Sequence, residues 1–207
     1  VKYLVLSATA SAMLLMGMAY IYAYTGTLNF VAEPGKLFTT FSQPAVVLGL
    51  ALIIFAVAFK LSLAPFHKWT PDVYAGAPAP IATFLATVAK VAMIGLFVRY
   101  VLSSGLILSD SFVIILTILA VLSILAGNLL AVRQVNLKRI LAYSSIAHFG
   151  YLLVAIVSAR NTDFLQVQGF ATFESVNVYV ITYVLTTIGA FGVVTLMSSP
   201  YNNTDEA

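Results

Sequence analysis

The sequence contains no cysteine, and only 8% of its 207 residues are charged. The first absence excludes a disulfide-stapled secreted fold, a cysteine-ligated zinc or iron–sulfur centre, and thiol catalysis. The second excludes an ordinary soluble domain, in which about a quarter of the residues carry charge. Ten basic residues against seven acidic ones leave a formal charge of +3. They are scattered, whereas a nucleic-acid surface gathers Lys and Arg on one polar face, so no nucleic-acid partner is expected. There is no glycine-rich dinucleotide loop after a strand, and the two histidines, His67 and His148, form no obvious haem pair. The chain itself is therefore expected to hold no metal or redox cofactor.

What is present is apolar: 61% of the residues are hydrophobic. Runs occur at about 3–24, 45–62, 80–102, 111–132, 140–158 and 175–197. Each crosses or nearly crosses a hydrocarbon core of about 30 Å as a helix. Only helices and closed barrels span lipid, because unpaired backbone groups there cost several kcal/mol each. The stretch beginning Phe112-Val-Ile-Ile-Leu lacks the two-residue alternation of a barrel strand. An all-α, polytopic membrane protein with six spans is predicted, residues 1–207 forming one transmembrane segment in the lipid bilayer.

The first run is no secretory signal, since it lacks a basic leader and exceeds the usual apolar core. The chain opens at Val1 with Lys2 directly on an apolar helix and closes on the polar tail Tyr201-Asn-Asn-Thr-Asp-Glu-Ala. An internal segment of a longer protein is expected. Arg133, Lys138 and Arg139 share a short connection that has no acid. By the positive-inside rule the loop 133–139 is cytoplasmic. The loops 25–43, 103–110 and 159–174, carrying Glu33, Asp110, Asp163 and Glu174, then face outward. Tyr20, Tyr22 and Tyr24 suit an interfacial belt, and Arg99 can snorkel to the headgroups.

The second run overshoots the membrane. A straight helix from Pro44 to Gly76 would reach roughly 50 Å at 1.5 Å per residue. Pro65 lies inside it, where it removes a backbone hydrogen bond and clashes with the preceding turn. A discontinuous helix over 45–75 is predicted, broken near 62–65, with His67, Trp69 and Asp72 on its second half. Such breaks are tolerated where the loosened backbone is buried in protein or lines a cavity, and in transporters they mark ion or substrate sites. A plain proline kink, or a helix ending at 62 with a loop after it, is the alternative.

Ionisable groups inside the spans are few. Lys60 ends an apolar run, Lys90 lies ten residues into 80–102, and His148 sits mid-run in 140–158. A lysine near the bilayer centre costs about 2.5–3.5 kcal/mol, so its presence points to function. Lysines in dry surroundings and histidines exchange protons near neutral pH, and polar side chains between them would carry a proton path. Thr83, Thr87, Tyr143, Ser144 and Ser145 are the candidate links. Blander readings stand beside these. Lys60 can snorkel, and His148 can simply bond a neighbouring helix. Lys2 lies near the cytoplasmic edge, and Lys68 pairs with Asp72 one turn on. No acidic residue falls inside a predicted span, so any carboxylate partner of the lysines must lie on a helix outside this chain.

Two stretches carry a resemblance. The first runs from Phe59-Lys-Leu-Ser-Leu-Ala-Pro-Phe-His-Lys-Trp-Thr-Pro-Asp-Val-Tyr to Pro80; the second is Gly127-Asn128 with Gln134-Val-Asn-Leu-Lys-Arg-Ile-Leu-Ala-Tyr-Ser-Ser-Ile-Ala-His-Phe-Gly-Tyr151. Both resemble the antiporter-like membrane subunits of respiratory complex I, the bacterial proton-translocating NADH:quinone oxidoreductase. The resemblance implies about fourteen helices with two inverted five-helix repeats, of which this chain would hold helices six to eleven. It implies proton-transfer roles for Lys60 on the broken helix, Lys90 on the next, Lys2 on the preceding one and His148 in the second half. Other complex I membrane subunits would be partners, and NADH, FMN, iron–sulfur clusters and quinone would act on partner subunits. The setting would be the bacterial inner membrane. The glutamate expected before Val1 and the second lysine-bearing broken helix lie outside the sequence. A sodium/proton antiporter subunit and a mainly structural bridging subunit are the competing functions.

Overall fold

In lipid the backbone must satisfy its own polar groups, and long apolar runs without alternation do so as helices. The computed structural model describes residues 2–27, 43–161 and 168–197, the side chains of Lys2, Asn161 and 168–173 aside. Among the described residues the regular structure is entirely helical: α1 (Lys2–Thr25), α2 (Pro44–Leu61), α3 (Trp69–Gly76), α4 (Ala79–Ala86), α5 (Val88–Ser104), α6 (Asp110–Ala131), α7 (Leu137–Ser158) and α8 (Gln168–Met197), with 3₁₀ turns at Leu106–Leu108 and Ala159–Asn161. Among the described residues six segments are long and apolar enough to cross a membrane: Tyr3–Thr25, Pro44–Leu61, Ala79–Ser104, Asp110–Ala131, Leu137–Ser158 and Glu174–Met197.

The sequence run 80–102 is carried by α4 and α5 together. Thr87 between them departs from helical geometry at φ −104° and ψ −79°. Its N–H still donates to the Thr83 carbonyl at 3.0 Å, and its own carbonyl accepts from Val91 at 2.9 Å. The segment is distorted there rather than cut. α5 stops at Gly105, whose φ of 68° lies in the left-handed region that glycine adopts without steric penalty. α7 starts at Asn136, whose side chain accepts from the Arg139 N–H at 3.2 Å and satisfies one of the donors a helix start leaves open.

The chain divides into two compact units. The first comprises Val1–Leu61 and Met93–Ile115. Its α1 and α2 cross at glycine: a Cβ on Gly17 would stand 2.6 Å from the Gly49 carbonyl oxygen, and one on Gly49 would stand 2.9 Å from the Gly17 oxygen. Small residues let membrane helices approach backbone to backbone, which replaces the hydrophobic drive that lipid removes. Leu4, Leu15 and Met16 on α1 are exposed, as lipid-facing side chains are.

The second unit comprises Ser62–Ala92 and Leu116–Ala207. Here α6 and α7 make the same kind of crossing. A Cβ on Gly127 would lie 2.7 Å from the Ala147 nitrogen, and one on Gly150 would lie 3.1 Å from the Ala120 oxygen. Tyr74, Ala82, Ala86, Ala142 and Phe191 form a buried cluster that joins α3, α4, α7 and α8. This unit holds the break after α2 and Lys90.

Candidate functional site

The break begins where α2 ends. Ser62 has a φ of 64°, a left-handed conformation that few residues other than glycine adopt. Helix resumes only at Trp69, after turns in which the Phe66 N–H reaches the Leu63 carbonyl at 2.7 Å and the Thr70 N–H reaches the His67 carbonyl at 3.0 Å. The loosened groups find protein partners. Thr70 donates its hydroxyl to Ser62 Oγ at 2.5 Å, and the Ala64 N–H donates to Ser123 Oγ at 2.9 Å. The Ser123 hydroxyl in turn donates to the Leu119 carbonyl at 2.6 Å. Ser62, Ala64, Thr70 and Ser123 are all buried, so the break is held by side chains from α3 and α6. Pro65, which supplies no N–H to this set, sits exposed at the turn.

The second half, α3, is fastened to the start of α7. Lys138 is 1% exposed, and its Nζ donates to the Ala77 carbonyl at 3.2 Å. Ala77 caps the C-terminus of α3, where unsatisfied carbonyls and the helix dipole favour a cation. Arg139 pairs with Asp72. This corrects the expected Lys68–Asp72 pair: Lys68 stands at the helix start, outside its first turn, while the first turn of α7 brings a guanidinium to Asp72.

Lys90 lies in the first turn of α5, just past the distortion at Thr87, and is 1% exposed. Its Nζ donates to Ser145 Oγ on α7 at 2.9 Å. It also lies over the Phe149 ring at 5.1 Å and the Tyr74 ring at 5.7 Å from the centroids. No carboxylate pairs with it among the described residues. Each ring face contributes about 0.5–2 kcal/mol and a hydrogen bond to a charged group about 1.5–3 kcal/mol. Their sum is of the same order as the insertion cost of about 2.5–3.5 kcal/mol, so these contacts offset much of that cost.

From Ser145 the polar contacts continue. Its Oγ lies 2.7 Å from the Tyr183 hydroxyl, which donates to the carbonyl of Ala86 at 3.0 Å. One helical turn along both helices, His148 Nδ1 lies 2.6 Å from the Tyr179 hydroxyl. The His148 ring stands 5.4 Å from the Tyr183 ring and 6.2 Å from the Tyr151 ring. Tyr151 accepts from Asn128 at 3.0 Å. α7 and α8 therefore carry a two-rung polar ladder, Ser145–Tyr183 and His148–Tyr179, with Lys90 at one end.

The other candidates are placed differently. Thr83 and Thr87 donate to the carbonyls of Ala79 and Thr83 one turn back, so they serve their own helix and do not link the lysine. Tyr143 lies against His67, with centroids 6.4 Å apart, and His67 Nδ1 is buried without a hydrogen-bond partner among the described residues. Ser144 is half-buried. Lys60, in the last turn of α2, is half-buried and makes no hydrogen bond or ion pair with a described residue. Lys2 is the first residue of α1, and its side chain lies outside the described residues.

A profile of the family described as NADH:quinone oxidoreductase/Mrp antiporter, transmembrane, matches residues 1–207. The chain belongs to this family. It is similar to NADH-quinone oxidoreductase subunit N of Acinetobacter baumannii (strain AB0057), 74% identical over all of this chain and 40% of the relative. With subunit N of Ectopseudomonas mendocina (strain ymp) the identity is 52%, over 99% of this chain and 40% of the relative. Among solved structures, a chain of respiratory complex I from Thermus thermophilus with bound aureothin matches at a TM-score of 0.73 and 38% identity, over 94% of this chain and 39% of that one. A chain of the Mrp complex from Dietzia sp. DQ12-45-1b shares the fold at a TM-score of 0.76 and 22% identity, over 93% and 34%. The chain thus spans about 40% of the length of the curated relatives it matches.

The expected all-α antiporter-like architecture is therefore that of the family. Sequence reasoning missed Tyr74, Tyr179, Tyr183 and Lys138. The available signal was spacing. Tyr179 and Tyr183 recur four residues apart on α8, matching Ser145 and His148 three apart on α7, so each pair shares one helix face.

Proposed function

We propose that this chain is the part of a proton-translocating NADH:quinone oxidoreductase membrane subunit that contains one broken helix and two of its proton-carrying lysines. The observation that carries this reading is Lys90, buried in an apolar span against a hydroxyl and two aromatic faces, with no carboxylate on it among the described residues. Such a group takes up and releases a proton without first separating from a counter-charge. Lys60, in the last turn of α2, is a second carrier, and His67, His148 and Lys2 are further proton-transfer groups. The identities of 52–74% with quinone oxidoreductase subunits support this reading over a sodium/proton antiporter subunit. NADH, FMN, iron–sulfur clusters and quinone act on partner subunits of the complex, and other membrane subunits flank this one in the bacterial inner membrane.

Lys90→Ala in the full-length subunit of the assembled complex tests the assignment. Protons pumped per electron should fall while quinone reduction continues; an unchanged ratio overturns the role of Lys90. The loop 133–139 is assigned to the cytoplasmic side. A Val135→Cys substitution, at a side chain 97% exposed, gives a reporter when labelling is compared with that of the parental subunit. A membrane-impermeant thiol reagent should label it in inverted vesicles and not in intact cells. The opposite pattern reverses the orientation.

A further inference from the structure

The hydrogen-bond chain at Lys90 has a direction. Tyr183 has one hydroxyl proton and gives it to the Ala86 carbonyl, which only accepts. Either hydroxyl can donate in the 2.7 Å contact between Tyr183 and Ser145, and while the Tyr183 proton is on Ala86 the donor is Ser145. Its proton so committed, Ser145 offers Lys90 only lone pairs. An acceptor in that place suits an ammonium, whose protons all need acceptors. A neutral amine can still donate an N–H there, but its lone pair is then left without a donor, so the arrangement favours the ammonium. Beyond Ser145 the Tyr183 hydroxyl has two neighbours, the Ala86 carbonyl, which accepts a hydrogen bond but hands on no proton, and the Thr187 side chain of its own helix. With the Tyr183 proton on Ala86 the arrangement is a latch and not a wire.

We propose that Tyr183 is a positioning residue that keeps the proton on Lys90 by fixing Ser145 as an acceptor, so that release requires the Tyr183–Ala86 bond to open and the Ser145 hydroxyl to turn. On release an N–H bond of the ammonium breaks, its electron pair stays on Nζ, and the proton passes to a water molecule. The turned Ser145 hydroxyl then donates to that pair. The placement fits the task. Tyr183 is buried, and its ring is held edge-on to Phe149 at 5.3 Å, the same ring that faces the Lys90 ammonium. Ala86 is the last residue of α4, immediately before the distortion at Thr87. A shift of α4 against α8 would therefore open the latch without moving Lys90's own helix contacts. The inference rests on the proposed proton-carrying role of Lys90.

The test is a mutant cycle in the assembled complex, read in inverted membrane vesicles as passive proton leak and as protons pumped per electron. Tyr183→Phe keeps the ring and removes only the hydroxyl. It should raise the leak on the order of tenfold, the effect of one hydrogen bond to a charged group, and lower the pumping ratio while quinone reduction continues. Ser145→Ala should do the same, Ser145→Thr should behave as the parent, and the double variant should equal either single one, because Tyr183 acts through Ser145. Additive effects, or full coupling in Tyr183→Phe, overturn the proposal. Lys90→Ala separates the two levels. If it lowers the ratio while Tyr183→Phe does not, the latch alone fails; if it leaves the ratio unchanged, the role of Lys90 and the latch fail together. Should Tyr183→Phe not assemble, Ser145→Ala set against Ser145→Thr decides the same point.

Discussion

Lys90 and Lys138 are buried to the same degree, in the same unit, and each reaches across to another helix. They end on different chemistry. Lys138 meets the backbone carbonyl of Ala77, an acceptor in every state of the protein, at the negative end of α3. Lys90 meets a serine hydroxyl that accepts in one orientation and donates in the other. The first arrangement fastens two helices. The second has a partner that can turn, as the proposed proton-carrying role requires. Burial is common to both lysines; the partner is what separates them.

Three substitutions break or sharpen this comparison through stability, read as thermal inactivation of the assembled complex. Lys138→Met leaves the Ala77 carbonyl without its cation and should destabilise by about 2–3 kcal/mol. Complexes that still assemble should pump at the parental ratio, whereas a reduced ratio would make Lys138 a carrier and erase the distinction. Ser123→Ala removes the acceptor of the buried Ala64 N–H in the break and should cost about 1–2 kcal/mol. No loss there would mean that the break is not held from α6. Asp72→Asn touches only an exposed ion pair with Arg139 and should cost under about 1 kcal/mol, diminishing further in high salt. A larger, salt-independent loss would show that the fastening of α3 depends on Arg139 as much as on Lys138.

Much of the scaffold was legible in the sequence because membrane folding writes it in coarse features. Apolar runs give helices, and Pro65 within an over-long run lies in the non-helical stretch between Leu61 and Trp69. Lys90 stood out because a charge inside an apolar span has few benign explanations. The connectivity around it was not legible. Thr83 and Thr87 looked like links, but a threonine on a helix has a carbonyl within reach one turn back, and both use it. Tyr179 and Tyr183 looked like ordinary members of an apolar run, since nothing in α8 alone shows that its neighbour presents Ser145 and His148 to them. Lys138 was read as one of three loop charges that set orientation, yet it is buried at a helix end. Asp72 chose Arg139, distant in sequence, over Lys68, four residues away. Local spacing proposes partners, and only packing selects among them.

Lys90 and Lys138 differ in role because they differ in partner, and that contrast is the central claim. Its most direct test measures protons pumped per electron by complexes carrying Lys90→Ala or Lys138→Met in the full-length subunit, side by side at equal amounts of assembled enzyme. The account predicts a reduced ratio for Lys90→Ala and the parental ratio for Lys138→Met. Equal ratios in the two variants, whether both reduced or both parental, would contradict it.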